Sequence, residues 1–337
     1  MSLRVARLHG VGDLRVDEEP DEPTRPGHSV VRVTAVGICG SDLHWFHEGG
    51  IGDATLAAPL VLGHECAGVV EQGPLAGRRV AIDPAMPCEA CDTCRRGHQN
   101  LCPQVRFLGH GATDGALRDR LVWPDDLLHP LPDGLSDAAG AMLEPLGVAL
   151  HALDLGHVRM GGTVAIVGCG PIGVLAVQLA RSAGATTVVA VEPLPHRAEA
   201  ARRFGADVVL TPDEVRAGCL DRAVTGGVDV AVEIAGSHDA VAIAMLAARP
   251  GARVVLAGIP AEDRTTFPAA LARRKGLTIL LARRMNGTYP RAIALVRRGS
   301  VHVEPLVSHR FELAQAGEAF ASAARRNGLK TLVEIFQ

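Results

Sequence analysis

A glycine-rich turn between two apolar patterns constrains the fold of this chain more than any other feature. An apolar strand pattern covers Thr163–Val167, a helix pattern covers Ile172–Ala183, and the turn G-C-G-P-I-G lies between them at 168–173. Similar strands and helices alternate as far as Leu277–Leu281. Because fully apolar strands that alternate with helices form a parallel sheet covered on both faces, we predict a doubly wound α/β domain here.

The first part of the chain follows a different pattern. Short strand patterns such as Val30–Val36 and Arg79–Ile82 are interrupted by glycine and proline, which predicts an irregular β-rich domain. After about residue 285, helix patterns alternate with extended ones, and a last strand pattern covers Leu329–Phe336.

Composition excludes several classes of protein. Hydrophobic residues make up 47% of the 337 residues, so a large core can form and wholesale disorder is excluded. The net charge of −3 argues against a general binder of nucleic acid or membrane surfaces. The uncharged stretch Met160–Ala180 is long enough to span a membrane, but its strand–turn–helix character favours a buried element. No secretion signal is visible at the start, so we expect a cytoplasmic protein.

The glycine turn has the features of a dinucleotide site. The first glycine permits a tight turn, the second admits a pyrophosphate, and the third allows close packing of helix on strand. A second strand pattern, Thr187–Val191, ends at Glu192, nineteen residues past Gly173, where a carboxylate can accept hydrogen bonds from ribose hydroxyls. This acid favours NAD over NADP, although Arg197 could meet a 2′-phosphate. The alternative is a plain glycine turn with a surface glutamate.

Four of the eight cysteines lie within fifteen residues, at Cys88, Cys91, Cys94 and Cys102. Four thiolates at this spacing predict a closed, tetrahedral structural zinc site. An iron–sulfur cluster is the alternative, but its pattern has a shorter last gap. A disulfide framework is typical of small secreted proteins, which this chain does not resemble.

Three further segments carry residue types that can bind a catalytic metal. Cys39 follows a strand pattern, His64 and Glu65 lie in a later turn, and Glu144 closes the first domain. Each also has an ordinary interpretation, as a buried cysteine or a surface turn. Spacing alone does not show that these residues meet.

Taken together, the motifs at 37–44, 61–65, 88–102 and 168–173 resemble the zinc-dependent medium-chain dehydrogenases, in the order found in that family. Leu143–Leu146 and Leu306–Phe311 are similar to the sorbitol (polyol) dehydrogenase branch, which includes L-idonate and xylitol dehydrogenases. The resemblance implies a GroES-like catalytic domain at 1–147 with a zinc lobe at 86–103, a Rossmann domain at 148–283, and segments at 284–337 that complete the first domain.

The resemblance also implies roles for individual residues. Catalytic zinc would be bound by Cys39, His64 and Glu65, with Glu144 acting directly or through water and Asp42 orienting His64. Zinc would act as a Lewis acid on a substrate hydroxyl, and hydride would pass to NAD. Ser41 would hand the proton through the nicotinamide ribose to His44.

Two larger sets follow from the same resemblance. The residues expected to line the cofactor are Gly168, Gly170, Pro171, Ile172, Gly173, Glu192, Arg197, Ala257, Gly258, Ile259, Ala282, Arg283 and Arg284. The residues expected to line the substrate pocket are Trp45, Phe107, Glu144, Arg284 and Met285.

The implied activity is the NAD-dependent oxidation of a secondary alcohol in a polyol, sugar acid or cyclitol to a ketone. Trp45 and Met285 stand where the polyol enzymes carry tyrosine, so the particular polyol stays open. Two alternatives remain: a threonine- or simple-alcohol-type dehydrogenase on the same scaffold, and a non-catalytic nucleotide-binding protein with structural zinc only. Members of the family are usually homodimers or homotetramers, and we expect the same here.

Overall fold

The computed structural model describes residues 2–335, and the predicted end of the last strand at Phe336 lies outside them. The strands are β1 (Ser2–Gly10), β2 (Asp13–Pro20), β3 (His28–Gly37), β4 (Gly50–Ile51), β5 (Ala54–Thr55), β6 (Leu60–Val61), β7 (Glu65–Gln72), β8 (Arg79–Ile82), β9 (Ala85–Met86), β10 (Arg106–Phe107), β11 (Arg120–Pro124), β12 (Leu128–Pro130), β13 (Thr163–Val167), β14 (Thr187–Val191), β15 (Val208–Leu210), β16 (Val228–Glu233), β17 (Ala248–Leu256), β18 (Thr278–Leu281), β19 (Val307–Glu312) and β20 (Lys330–Glu334).

The α-helices are α1 (Gly40–Glu48), α2 (Asp92–Arg95), α3 (Asp137–Ala141), α4 (Leu143–Gly156), α5 (Pro171–Ser182), α6 (Pro195–Arg203), α7 (Pro212–Arg216), α8 (His238–Ala247), α9 (Ala269–Lys275), α10 (Tyr289–Arg297) and α11 (Ala316–Ala324). Short 3₁₀ turns lie at Gln99–Leu101, Asp125–Leu127, Cys219–Arg222, Glu304–Leu306 and Leu313–Gln315. None of the helices within residues 2–335 is long and apolar enough to cross a membrane.

The chain forms two compact units. Within residues 2–335, unit 1 contains 2–144, 289–297 and 303–335, and unit 2 contains 145–288 and 298–302. The sequence-based boundaries at 147 and 283 lie a few residues away, and the segment 298–302 was expected with the first domain. It belongs to unit 2 because the side chain of Gln178 holds His302 by two hydrogen bonds. Gln178 Nε2 donates to the His302 carbonyl at 3.0 Å, and the His302 amide donates to Gln178 Oε1 at 2.8 Å.

Unit 1 is the β-rich part of the molecule. Its main sheet runs in the order β12-β8-β7-β3-β20-β19, with β11 also paired to β3, and a second sheet runs β2-β1-β6. The strand β20 pairs with β3 although nearly 300 residues separate them, so the end of the chain completes the first sheet. Buried aliphatic and aromatic side chains from both sheets and from α11 form one core.

Unit 2 contains a six-stranded sheet in the order β15-β14-β13-β16-β17-β18. All five strand pairs are parallel, and the order reverses between β13 and β16. Valine and alanine side chains of the strands pack with α8 in a separate core. The predicted α/β class, a β-rich catalytic domain with a doubly wound parallel-sheet domain, is confirmed. The strands Thr163–Val167 and Thr187–Val191 have their predicted bounds, whereas β17 is longer than expected.

Candidate metal centres and cofactor site

The four clustered cysteines converge in unit 1. The sulfur atoms of Cys88, Cys91, Cys94 and Cys102 all lie within 4.8 Å of one another. The Cys91 and Cys94 sulfurs are 3.4 Å apart and those of Cys91 and Cys102 are 4.0 Å apart. A tetrahedral zinc with bonds of about 2.3 Å requires sulfur separations of ~3.8 Å. The four thiols therefore fit zinc, and all four are free of disulfides.

Backbone groups prepare this lobe for a cation. The amide of Cys91 donates to the Cys88 sulfur at 3.3 Å, and the amide of Cys94 donates to the Cys91 sulfur at 3.4 Å. Backbone donors from Ala90 and Cys91 lower the pKa of the Cys88 thiol to about 6. A thiolate is the form that binds metal, so the local fold favours the ligand state of at least one sulfur.

A second group of candidate ligands also lies in unit 1. Cys39 immediately precedes α1, His64 lies in the turn before β7, and Glu65 is the first residue of β7. One ligand atom from each of these three residues lies within 4.8 Å of the others. A sulfur, an imidazole nitrogen and a carboxylate oxygen form a donor set that zinc accepts, with a further position available to water or substrate. The sheet brings them together because β3 pairs with β7, with Gly37 opposite Glu65.

Asp42 connects the elements that carry this second group. Its carboxylate accepts from the backbone amides of Cys39, at 2.9 Å, and Gly63, at 3.1 Å. One of its oxygens lies 3.4 Å from Nδ1 of His64. Because Asp42 engages Nδ1, the Nε2 atom of His64 is left for a metal. Burial opposes the charged imidazole, but Asp42 and Cys39 raise the pKa of His64 well above its usual value.

Glu65 has a partner that the sequence analysis missed. The Lys330 ammonium lies 2.7 and 2.6 Å from the two carboxylate oxygens of Glu65 and also donates to the Ile38 carbonyl at 3.0 Å. Both side chains are buried, at 3% and 0% exposure. The pair neutralises and orients Glu65, while a carboxylate retains lone pairs for a further partner.

A compositional signal could have identified Lys330. The chain contains two lysines among its 34 basic residues. The other one, Lys275, donates to three backbone carbonyls, those of Met245, Leu246 and Ala248. Both lysines therefore lie where a compact ammonium with three donors is needed, a geometry that the planar guanidinium of arginine does not supply.

Glu144 lies near the second group without joining it. It is the second residue of α4 and is 4% exposed. Burial raises the pKa of Glu144, His64 opposes that shift, and the neighbouring Glu65 adds to it. Among the described residues, the set of ligand atoms within 4.8 Å contains Cys39, His64 and Glu65 but not Glu144.

The remaining candidates of unit 1 have different surroundings. Ser41 Oγ is 3.4 Å from Nε2 of His64, and Nδ1 of His44 is 3.1 Å from the Glu48 carboxylate one helical turn further along α1. The Phe107 ring lies 5.2 Å from the His64 ring. Trp45 instead belongs to the apolar core and is 1% exposed.

The glycine turn of unit 2 has a conformation that depends on glycine. Gly168 has φ of +93°, and a Cβ added to Gly173 would lie 2.0 Å from the Gly168 carbonyl oxygen. At Gly170 the nearest atom to an added Cβ is Nη1 of Arg197, at 3.6 Å. The turn therefore packs closely at its two ends and leaves space in the middle, beside a guanidinium, which fits a pyrophosphate.

Glu192 is oriented differently from a simple surface acid. It is 5% exposed, and its carboxylate accepts from the amides of Cys169, at 2.7 Å, and Leu194, at 2.9 Å. The side chain thus holds the glycine turn while retaining lone pairs for ribose hydroxyls. Arg197 lies next to the same turn, so the glycine turn has the negative side chain of Glu192 and the positive side chain of Arg197 beside it.

The other expected cofactor segments lie at the same edge of the sheet. Residues 257–259 follow β17 and residues 282–284 follow β18, so both lie at the carboxyl ends of parallel strands, as the glycine turn does after β13. Arg284 has φ of +57°. Met285 is buried, and a Cβ added to Gly147 would lie 2.3 Å from its sulfur, so its side chain packs against α4.

Comparison with known proteins agrees with this arrangement. Residues 25–133 match the alcohol dehydrogenase GroES-like domain, and residues 171–298 match the zinc-binding dehydrogenase family. The chain is 36% identical over 338 residues to sorbitol dehydrogenase of Macaca fascicularis, covering 97% of this chain and 94% of the relative. It is 35% identical over 346 residues to L-idonate 5-dehydrogenase of Vitis vinifera, covering 98% and 94%.

A solved structure extends the comparison to three dimensions. A zinc-binding dehydrogenase of Sinorhizobium meliloti 1021, solved with NADP bound, superposes with a TM-score of 0.90 at 31% identity, covering 99% of this chain and 100% of the other. The chain therefore belongs to the zinc-dependent medium-chain dehydrogenases, and the resemblance noted from its motifs is confirmed. It is an oxidoreductase of the class that uses zinc and a nicotinamide dinucleotide.

Proposed function

We propose that this enzyme oxidises a secondary alcohol of a polyol, sugar acid or cyclitol to the ketone, with NAD⁺ as hydride acceptor. The observation that carries the proposal is the convergence of Cys39, His64 and Glu65 within 4.8 Å, with a second glutamate, Glu144, buried nearby. The relatives named sorbitol dehydrogenase and L-idonate 5-dehydrogenase support this substrate class.

Cys39, His64 and Glu65 would hold the catalytic zinc, which as a Lewis acid lowers the pKa of a substrate hydroxyl. Asp42 keeps His64 in the tautomer that presents Nε2, and Lys330 holds the Glu65 carboxylate in place. The buried Glu144 carboxyl would have one of two roles. It would either accept a hydrogen bond from the substrate or a water beside the metal, or bind the metal directly. A structural zinc would lie in the four-cysteine lobe.

The proton of the substrate hydroxyl would leave through polar groups of α1. Ser41 lies beside His64, and His44 is one helical turn further on, so the two side chains occupy one helix face. Ser41 would take up the proton and His44 would receive it next, in a relay to which NAD, when bound, would supply a ribose hydroxyl. The Glu48 carboxylate, 3.1 Å from Nδ1 of His44, orients the imidazole ring.

NAD would lie along the carboxyl edge of the parallel sheet in unit 2. The pyrophosphate would rest on the turn at 168–173, beside Arg197, and Glu192 would accept from the adenosine ribose. Residues 257–259 and 282–284 would complete the crevice. A carboxylate near the ribose disfavours a 2′-phosphate, which supports NAD over NADP, although the neighbouring Arg197 could bind that phosphate.

Phe107, Glu144, Arg284, Met285 and Trp45 are proposed to shape the substrate pocket. Phe107 has the strongest support, because its ring lies against His64. Trp45 and Met285 are both buried and would act by defining the shape of the pocket wall, since neither carries a hydroxyl.

We also propose a cytoplasmic homodimer or homotetramer. Eight free cysteines, five of them arranged as candidate metal ligands, suit a reducing compartment. The strand β18 forms one edge of the six-stranded sheet, and Leu281 on it is 78% exposed. An unpaired apolar edge is a surface that a second copy can cover. Sedimentation velocity, with a Leu281→Lys variant as comparison, tests this association: a monomeric wild type contradicts it.

A screen of NAD⁺ reduction tests the activity. Absorbance of NADH would be followed over polyols, aldonates and inositols, with threonine and simple alcohols alongside, and with a chelator control and metal analysis. We expect turnover of at least one polyol-type substrate, loss of turnover with chelator, and two zinc ions per subunit. Turnover confined to threonine or simple alcohols would favour the same-scaffold alternative. One zinc per chain and no turnover of any alcohol would favour a non-catalytic nucleotide-binding protein.

A further inference from the structure

Glu233 is a buried acid of unit 2 that none of the sites above includes. It is the last residue of β16 and is 1% exposed. β16 lies beside β13 at the point where the strand order of the sheet reverses. Crevices at such points, outside the carboxyl ends of the strands, are where doubly wound sheets bind ligands.

The Glu233 side chain organises the loop that follows its own strand. Its Oε1 atom accepts from the backbone amides of Ala235, at 2.7 Å, and Gly236, at 2.6 Å. Burial raises the pKa of Glu233, and backbone amides of Gly236, Ala235, Gly258 and Ser237 oppose that shift by favouring the ionised form. A carboxylate oxygen that accepts two amides holds the tight turn of the 235–237 loop in one conformation.

The same residue binds the loop that follows the next strand. The Glu233 carbonyl accepts from the amides of Ala257, at 2.8 Å, and Gly258, at 3.1 Å. A Cβ added to Gly258 would lie 2.2 Å from the Gly236 amide nitrogen and 2.8 Å from Glu233 Oε1. The loops at 235–237 and 257–259 are therefore in contact through Glu233.

The 235–237 loop also touches the glycine turn. A Cβ added to Gly168 would lie 2.8 Å from the Ala235 Cβ and 2.9 Å from its nitrogen. The Ile234 amide donates to the Val167 carbonyl at 2.8 Å, one residue before the turn. A shift of the 235–237 loop would therefore be transmitted directly to Gly168.

We propose that Glu233 is a positioning residue for the dinucleotide. Its buried carboxylate holds the 235–237 loop between the glycine turn and the 257–259 segment. The three loops would then form one preorganised surface on which the dinucleotide binds. This role rests on the proposed placement of the cofactor at 168–173. Glu233 acts through backbone groups and does not itself contact the cofactor.

Glu233→Gln is the test variant, because it keeps the size of the side chain and removes the negative charge that strengthens its hydrogen bonds from the loop amides. Asp229→Asn is the matched control. Asp229 lies on the same strand at the opposite edge of the sheet, and its carboxylate accepts from the backbone and hydroxyl of Thr163, both at 2.8 Å. Both substitutions therefore remove a charged acceptor that binds backbone, but only one does so beside the crevice.

The measurement is NADH binding by fluorescence titration, together with amide hydrogen exchange and thermal unfolding. We expect roughly tenfold weaker NADH binding for Glu233→Gln, faster exchange at 235–237 and 258, and a raised KM for NAD⁺ with nearly unchanged kcat. Glu233→Asp, which keeps the charge, should recover part of the affinity. Asp229→Asn should lower the melting temperature and leave the Kd for NADH within about twofold.

Equal NADH affinity in wild type and Glu233→Gln would overturn the role, as would equal weakening in Asp229→Asn, which would indicate a general loss of stability. If the wild type itself failed to bind NADH, the proposed cofactor site would be wrong, and this outcome is distinct from the other two.

Discussion

The two candidate metal centres of unit 1 are built in opposite ways. The four cysteines of the lobe lie between residues 88 and 102, on a segment with one short helix and one 3₁₀ turn. The second centre draws Cys39 from the link between β3 and α1, His64 from the turn before β7 and Glu65 from the start of β7. Lys330 reaches Glu65 from a strand 265 residues away. One centre is local in sequence and the other depends on the order of strands in a sheet.

This difference determines what each ion does for the protein. Most side chains of residues 88–102 are exposed, so a bound ion would supply much of the stability of the lobe. At the second centre, strands paired in the main sheet and a continuous core hold the ligands before any ion arrives. The first ion would stabilise structure, and the second would be bound by existing structure and would serve the reaction.

Cys39→Ser is expected to have the largest effect on activity. Loss of the catalytic ion should lower kcat/KM by about a thousandfold or more, which corresponds to ~4 kcal/mol of transition-state stabilisation. The zinc content should fall from two per subunit to one, with a nearly unchanged melting temperature. Cys219→Ser is the control, because Cys219 is half-buried and lies outside both centres. Activity of Cys39→Ser within tenfold of wild type would contradict the assignment of this centre.

Lys330→Met should have the largest effect on stability. Removing one member of a buried ion pair takes away the lysine partner of the Glu65 charge, which costs about 3–5 kcal/mol. Urea unfolding measures this change, and zinc retention by the purified variant shows whether Glu65 still holds its position. The other lysine is the matched control: Lys275→Met removes bonds to carbonyls but isolates no buried charge, so a smaller loss is expected. Equal losses of unfolding free energy in the two variants would show that the Lys330–Glu65 ion pair contributes no more than the hydrogen bonds of Lys275.

Cys94→Ser tests the local centre. We expect the loss of one zinc ion, about 2 kcal/mol lower stability and roughly tenfold faster proteolysis within residues 88–102. The value of kcat/KM should stay within about tenfold of wild type, because the second centre is held by the sheet. A loss of activity as large as that of Cys39→Ser would show that the two centres are not independent.

The smallest expected effect is on the pH dependence of the free energy of unfolding, and it comes from His129 in the main sheet of unit 1. The His129 ring stacks on Tyr289 with centroids 4.4 Å apart, and Tyr289 donates to the Ile82 carbonyl. Burial lowers the pKa of His129 from 6.5 to about 4. Between pH 4 and 6.5, His129 binds a proton in the unfolded chain but not in the folded one. The contribution of the neutral ring to the free energy of unfolding is therefore complete above pH 6.5 and is lost as pH falls toward 4.

The magnitude for a partly exposed ring is roughly 1–2 kcal/mol. His129→Phe retains the stack and should remove that part of the pH dependence between pH 7 and 5, measured by urea unfolding at both values. His196→Gln, at an exposed histidine, should leave the slope as in wild type. An unchanged slope in His129→Phe would show that the ring is not responsible.

The strands of the parallel sheet were predictable because their signals are local. Thr163–Val167 and Thr187–Val191 are apolar runs bounded by turns, and both have their predicted bounds. The sequence analysis placed the segment 298–302 with the β-rich domain. Its position depends instead on hydrogen bonds from the side chain of Gln178 in α5, and no local pattern reveals such a contact. Sequence patterns describe what an element is more reliably than what it packs against.

By itself, the sequence determined the class of fold, the glycine turn, the four-cysteine lobe and the family, because short spacings and turn residues act on backbone geometry close by. Only the tertiary structure decided that Lys330 holds Glu65, that Glu192 turns toward the glycine loop, and that Glu233 joins three loops. These contacts depend on which strands become neighbours and on how charged groups find partners when water is removed. Desolvation makes such pairing obligatory in a core, but the partner is chosen by the fold rather than by spacing along the chain.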